Sequence, residues 1–427
     1  KNRSRKMEHA VNKTVLNNGI RIVTKKMPHV HSVSMGVWVN VGARDESSFE
    51  SGLSHFIEHM IFKGTEKRTA FQIAKEFDAI GGQTNAFTSA ENTCYHAKVI
   101  DTHLETMVDI LSDIFLNSVF DEKEVENERA VILQEIAMVE DSPDEYIHLL
   151  SGRNFWGDNS LGRSVLGTRE NVAGFNAHTL KGFFHKFYQP ERIVISVAGN
   201  LEHNRLVDLI GPIFESIRPG NSLLKRITPK GNNRVNLHQR PLEQVHICLG
   251  TTGISITDPR RYAYYLMNTI LGGNMSSRLF QEIREKRGLA YSVYSFISSY
   301  VDTGIFGAYA GVNSENVRKS TELIFKEIAR LKHMYVDPNE LQDAKEHTKG
   351  SLILASESND NQMVRLAQNE THFGRYIPLE EIANNIESVT RDDILDLAES
   401  LFQKRRFALT ILGPVTRDND FKDILTL

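Results

Sequence analysis

Ile193-Val-Ile-Ser-Val-Ala-Gly199 returns 214 residues later as Phe407-Ala-Leu-Thr-Ile-Leu-Gly413, and this pair decides the fold. Each is a short apolar run closed by glycine, with the length and composition of a buried strand. Each follows a helical pattern ending in an aromatic, Tyr188 or Phe402. The same offset of 214 joins His31-Ser-Val-Ser-Met-Gly36 to Val245-His-Ile-Cys-Leu-Gly250, and Asp121-Glu-Lys-Glu-Val125 precedes Asp337-Pro-Asn-Glu-Leu341 by 216. Constant order at near-constant spacing means two copies of one unit, although 427 residues would allow three domains of ~150. The period is far too long for a solenoid.

Between the copies, Arg218-Pro-Gly-Asn-Ser222 and Thr228-Pro-Lys-Gly-Asn-Asn233 carry the residues that interrupt periodic structure. This predicts a half over 1–217, a linker over 218–233 and a second half over 234–427. Strand patterns (21–25, 32–39, 93–99) and amphipathic helices (70–80, 104–116) follow one another too closely for regular βαβ alternation. The expected class is therefore α+β: two homologous halves, each a largely antiparallel sheet covered by helices.

Fifty Lys+Arg against 54 Asp+Glu, a net charge of −4, exclude a nucleic-acid binder that works by bulk charge. With 40% apolar residues the chain is not a disordered acidic one either. The longest apolar runs are strand-length, well short of the ~20 residues that span a bilayer, so no membrane span is expected. Two cysteines, Cys94 and Cys248, make no disulfide framework and suit a reducing compartment, a bacterial cytoplasm first and a mitochondrial matrix as the alternative. No apolar segment follows the basic start Lys1, Arg3, Arg5 and Lys6, so a secretory signal is not expected. That start reads as a frayed terminus or the remnant of a presequence.

Gly52-Leu-Ser-His55-Phe-Ile-Glu58-His59-Met-Ile-Phe-Lys-Gly64 reads as a helix stopped by Gly64. One turn apart, His55 and His59 project from one face, with Glu58 beside them. Two imidazoles so placed can hold zinc, and the carboxylate can reach a water on it. The pattern H-x-x-E-H is the inverse of the H-E-x-x-H zinc-protease helix. A catalytic zinc needs a third protein ligand. The segment 121–140 reads as a helix capped by Asp121, with Val125, Ile132, Ile136 and Val139 as its apolar stripe. Glu128 and Glu135 fall ~60–80° to one side of that stripe, and helix geometry leaves ligand and surface roles equally open for both. Cys94-x-His96 has two side chains on one strand face without a third partner and takes no function, and the remaining histidines have no ligand spacing.

With these motifs the chain resembles the insulinase/pitrilysin zinc peptidases, in particular the short two-domain branch that includes the catalytic subunit of mitochondrial processing peptidase and its bacterial relatives. The resemblance extends over Val41-Gly-Ala-Arg-Asp45, Gly81-Gly-Gln-Thr-Asn85-Ala86 and Leu133-Gln-Glu135-Ile136, and covers essentially the whole chain. It implies Glu135 as third ligand of one zinc per chain, Glu128 as a supporting carboxylate, and Glu58 as general base of a zinc endopeptidase. It implies that Asn85 and Ala86, on an edge strand, contact an extended peptide. From the metal-free half it implies an Arg and a Tyr seven residues apart that bind substrate and the tetrahedral intermediate. Arg287 and Tyr294 have that spacing, as do Arg284 and Tyr291; Arg287 is preferred because it directly precedes Gly-Leu-Ala-Tyr-Ser. By composition alone that region is a helix ending at Gly288 and running into a half-buried aromatic strand.

Relatives enclose unfolded peptides between two such two-domain units, so a homodimer, or a pair with a metal-free homologous subunit, is implied. The rival reading is a non-catalytic structural or peptide-holding subunit. Such subunits have damaged motifs, whereas His55, Glu58, His59 and Glu135 are intact here.

Overall fold

The computed structural model describes residues 11–220, 226–415 and 421. The basic start, His9 and the middle of the linker, 221–225, lie outside the described residues. The chain forms two units. One lies within Lys1–Ala137, Ser164–Arg226 and Leu354–Tyr376, the other within Met138–Arg163, Ile227–Ile353 and Ile377–Leu427.

The first unit is built on six strands, β1 (Val11–Val15), β2 (Arg21–Lys26), β3 (Ser32–Val39), β4 (Gln83–Thr88), β5 (Thr93–Ile100) and β6 (Ile193–Gly199), in the order β1-β2-β6-β3-β5-β4. Only β2 and β6 run parallel. Helices α1 (Leu53–Ile61), α2 (Ala70–Ala79), α3 (Leu104–Asn117) and α4 (Glu122–Asp141) follow in the chain. The second unit holds β7 (Val235–Gln239), β8 (Val245–Thr252), β9 (Ala290–Ser299), β10 (Gly304–Val312) and β11 (Ala408–Gly413), in the order β7-β11-β8-β10-β9. Again one pair, β7 and β11, is parallel. Matched through the repeat, the two orders are the same, and among the described residues the second sheet lacks only a counterpart of β1. The homology of the halves is thus visible in strand order as well as in sequence.

Both strands of the deciding pair end in a glycine with positive φ, Gly199 at 144° and Gly413 at 151°. A Cβ at Gly199 would meet the Ser32 carbonyl oxygen at 2.2 Å, so the turn off the strand admits no side chain.

The contiguous halves expected from sequence exchange one helix each. Helix α5 (Pro143–Trp156), encoded in the first half, packs on β8 and β11 of the second unit. Helix α7 (Asn359–Phe373), encoded in the second half, packs on β2, β3 and β6 of the first (α6 being Arg261–Gly272). β3 is consequently covered on both faces. Val33, Met35, Val37 and Val39 enter the main core, while Trp38 meets Met363, Leu366 and Ala367 of α7. A strand covered on both sides has no polar face to show, which explains its near-continuous apolar run.

Two local expectations change. The helix carrying His55, Glu58 and His59 ends at Ile61, with Phe62 as its C-cap, and Gly64 does not serve as C′. Gly64 has φ +127°, where it bridges to Thr69 as the chain turns into α2. The helix expected before Gly288 is π-helical over Phe280–Glu285, with Gly288 at φ +59° ending it. Among the described residues no helix is long and apolar enough to cross a membrane.

Candidate metal centre

Helix α1 buries seven of its nine residues, and Leu53, Phe56, Ile57, Met60 and Ile61 anchor it in the first unit's core. Its N-terminus is built for close packing. Gly52 adopts φ +105°, and a Cβ there would come within 2.9 Å of the Gly167 Cα. The buried carboxylate of Glu46 accepts from the backbone N–H of Gly52 (2.8 Å) and Ser54 (2.7 Å), satisfying two donors that a helix start leaves open. Arg226 grips Asp45 with two bonds of 2.8 Å, and Arg44 pairs with Glu91 at 2.5 Å, which fixes the 42–46 loop that delivers Glu46.

On α1 the rings of His55 and His59 stand 4.7 Å apart at 70°. Glu135, on α4, places Oε2 3.6 Å from His55 Nε2 and 3.5 Å from His59 Nε2. These three residues form the one group among the described residues whose ligand atoms could share a metal, all lying within 4.8 Å of one another. Ligands at ~2.0–2.1 Å from a tetrahedral zinc are ~3.4 Å apart, so the three atoms fit a small divalent cation with little movement. The donor set, two imidazole nitrogens and one carboxylate, is that of a catalytic site with an open position.

Glu128 and Glu135, which helix geometry left equivalent, part company here. Glu128 is buried and directs Oε2 at Nδ1 of His59 (2.9 Å), while its Oε1 meets Lys63 Nζ at 2.5 Å. The Nδ1–H of His59 is thereby engaged, leaving Nε2 as the atom that faces Glu135. Glu135 itself is more open, with 37% of its side chain exposed. Lys63 and Glu46 went unnoticed in the sequence. Lys63 follows the end of the helix, where spacing predicts no partner, and Glu46 acts through a loop that carries no periodic signal.

Glu58 is mostly buried, and its Oε2 has no hydrogen-bond partner among the described residues. Burial raises its pKa above the ordinary carboxylate value against the opposing bond to Thr88. Nδ1 of His55 is likewise buried and unpartnered. Burial, followed by the charge of His59, lowers the His55 pKa to about 3. For His59 burial also disfavours the charge, yet the Glu128 bond and the nearby Glu135 and Glu58 outweigh it and raise the pKa.

That raised pKa sets a sign. Because Nδ1 is committed to Glu128, the proton gained at low pH goes to Nε2, the atom a metal would need. Metal binding should therefore weaken as pH falls through the raised His59 value, by about tenfold per unit once below it. Chelator competition at pH 6 and pH 8 measures this, and equal affinities at the two would contradict it. Glu128→Gln should leave the fold intact and weaken the metal by about 10–100-fold, the usual effect of losing a partner that orients a ligand. The same competition experiment reads it.

Asn85 and Ala86 lie on β4, which is the terminal strand of its sheet, as expected of an edge. They pair with His96 and Tyr95 of β5, and α1 packs against β4. Asn85 is exposed, its Oδ1 accepting from the Ala86 N–H (2.9 Å). Arg287 and Tyr294 belong to the second unit, whereas the metal cluster belongs to the first. Arg287 is exposed and bonds the backbone oxygen and carboxylate of Glu282, both at 2.6 Å. Tyr294 is half-buried on β9 and hydrogen-bonds His148. In the other register Arg284 stacks on Tyr291 at 4.7 Å. Cys94 and Cys248 are free and buried.

Comparison with known proteins adds three findings. The family model described as insulinase, peptidase family M16, matches residues 21–169, and that of the M16 inactive domain matches 174–347. The uncharacterized zinc protease YmxG of Bacillus subtilis is 42% identical over 397 residues, 93% of this chain and 97% of its own. The uncharacterized zinc protease SCO5738 of Streptomyces coelicolor is 40% identical over 95% of this chain and 90% of its own. The solved structure of a protease from Helicobacter pylori superposes with a TM-score of 0.88 at 21% identity, covering 95% of this chain and all of that one.

Proposed function

Because the chain belongs to the insulinase family of peptidases, M16, we propose that it is a zinc-dependent endopeptidase acting on unfolded peptides, with His55, His59 and Glu135 holding one zinc and Glu58 acting as general base. The observation that carries the reading is the convergence of Glu135 on both Nε2 atoms, with an unpartnered carboxylate oxygen of Glu58 on the same helix. When bound, zinc would lower the pKa of a water toward neutrality and polarise the scissile carbonyl. Glu58 takes the proton of the attacking water and returns it to the leaving amine. Its raised pKa brings it closer to the working pH, where one group can both accept and release a proton. Glu128, supported by Lys63, keeps the His59 ring in orientation through Nδ1.

The exposed edge of β4 would receive the peptide as an added strand, with Asn85 and Ala86 alongside it. Arg287 and Tyr294 would supply a cation and a phenol donor to the oxyanion of the tetrahedral intermediate. The working form would be a homodimer, or a pair with a metal-free sister, enclosing the peptide in a chamber. The intact cluster favours this over a peptide-holding subunit without activity.

Zinc-loaded protein should cleave a quenched, unstructured peptide, lose that activity on chelation and regain it with zinc. Stoichiometric zinc without cleavage of any of a varied set of unstructured peptides would sink the endopeptidase reading.

A further inference from the structure

Arg226 closes the segment 164–226 of the first unit and reaches back between two loops that lie far from it in the chain. Only 11% of its side chain is exposed. On one side it bonds both oxygens of Asp45, each at 2.8 Å, in the 42–46 loop; that carboxylate is 1% exposed. On the other it bonds the backbone oxygen of Glu91 at 3.0 Å, in the turn 89–92 between β4 and β5, and stands 3.7 Å from the Glu91 carboxylate. Arg44, beside Asp45, pairs with the same carboxylate at 2.5 Å. The two loops also meet through their backbones. The N–H groups of Ala43 and Arg44 donate to the carbonyl oxygens of Ser89 (3.1 Å) and Ala90 (2.7 Å).

Each loop leads into one part of the proposed site. Glu46 follows Asp45 and accepts from N–H groups at the start of α1, the helix that carries His55, Glu58 and His59. The turn 89–92 follows β4, the edge strand proposed to receive the peptide. Strand end and helix touch through Thr88, whose Oγ1 lies 3.5 Å from the Ser54 carbonyl oxygen, too long to fix their spacing alone. The buried, charge-assisted bonds around Arg226 are stronger and directional. They need a planar fork: Nε and Nη2 grip Asp45 while Nη2 also serves Glu91, which an ammonium group cannot reproduce. Without Arg226 the place keeps buried negative charge that has lost a partner, and the two loops are driven apart.

We propose that Arg226 is a positioning residue for hydrolysis: it locks the loop that starts α1 to the turn that ends β4, and so sets where a peptide on β4 lies relative to Glu58. The inference rests on the proposed roles of Glu58 and β4 and adds the group that holds the two in place. Arg226 itself touches neither metal nor peptide and transfers no proton.

The test compares Arg226→Gln, Arg226→Lys and the double variant Arg226→Gln/Asp45→Asn, all zinc-loaded, in cleavage of a quenched peptide. Arg226→Gln should lower kcat by about 10–100-fold, the scale of a small misplacement at a reacting centre. Zinc affinity and KM should stay within about twofold, because α1 keeps both histidines and β4 keeps its edge. Arg226→Lys, which restores the charge without the fork, should recover part of the loss. The double variant separates positioning from stability. It removes one charge of each sign, so its thermal midpoint should lie above that of Arg226→Gln, while kcat stays as low. In the Glu58→Gln background Arg226→Gln should cost no more than about twofold, because the two act through one step.

Native kcat in a folded Arg226→Gln variant would overturn the inference, as would an equal loss with and without Glu58. A kcat loss that merely follows a loss of zinc would overturn it likewise. If Arg226→Gln does not fold, the double variant carries the test: kcat regained along with stability would mean that Arg226 serves the fold alone. Absence of cleavage by the native chain across varied peptides would remove the endopeptidase reading and this inference together. An active native chain in which Arg226→Gln is uncoupled from Glu58 would remove only the inference.

Discussion

Glu58→Gln is expected to bind zinc as the native chain does and to lose turnover by about 10²–10⁴-fold, the range of a general base in the transition state. The substitution is close to isosteric, so the tight packing of α1 is undisturbed. The ligands proposed for the metal are His55, His59 and Glu135, none of which depends on a Glu58 hydrogen bond among the described residues. What disappears is the proton acceptor. Glu58 has a buried Oε2 with no partner among the described residues, and burial has moved its pKa upward, both features of a carboxylate held ready to take a proton rather than to anchor structure. An amide at that place can accept a hydrogen bond but cannot carry a proton through the cycle. Metal content by emission spectrometry and kcat on a quenched peptide measure the two halves of the expectation. Native turnover in the variant would assign the base elsewhere.

Glu135→Gln is expected to act in the opposite sense, abolishing activity by losing the metal. Among the described residues Glu135 is the anionic group that lies close to both Nε2 atoms, at 3.5 and 3.6 Å, and its charge would balance a divalent ion that the neutral imidazoles cannot. The loss of affinity should exceed the about 10–100-fold expected of a merely supporting group such as Glu128. Stability without metal should hardly change, since more than a third of the Glu135 side chain is exposed and the packing of α4 rests on Val125, Ile132 and Ile136. Zinc should therefore raise the thermal midpoint of the native chain and not that of the variant, because only a ligand bound to the folded state stabilises it. A variant that keeps tight zinc would place the third ligand on another residue.

The two carboxylates of α4 show where reading along the chain stops. Periodicity puts Glu128 and Glu135 on one flank of the helix, two turns apart, and nothing local distinguishes them. Resemblance named Glu135, and the packing of α4 beside α1 brings that residue to the Nε2 atoms and Glu128 to Nδ1 and Lys63. The supporting groups Glu46, Lys63 and Thr88 were invisible for the same reason: each meets the site through a loop or a strand end, where side-chain direction is set by tertiary contacts.

The exchanged helices make the same point at the scale of the fold. The repeat at 214 residues, the class of fold, the strand-bearing segments and the helix carrying His55, Glu58 and His59 were all written in local pattern. Apolar alternation, a helical period and glycine stops depend on near neighbours in the chain. That α5 covers the second sheet and α7 the first was not. An amphipathic helix states that it has an apolar face, and two homologous sheets offer it nearly the same surface, so the choice belongs to the whole packed chain. Through that choice His148, encoded in the first half, comes to lie against Tyr294 of the second.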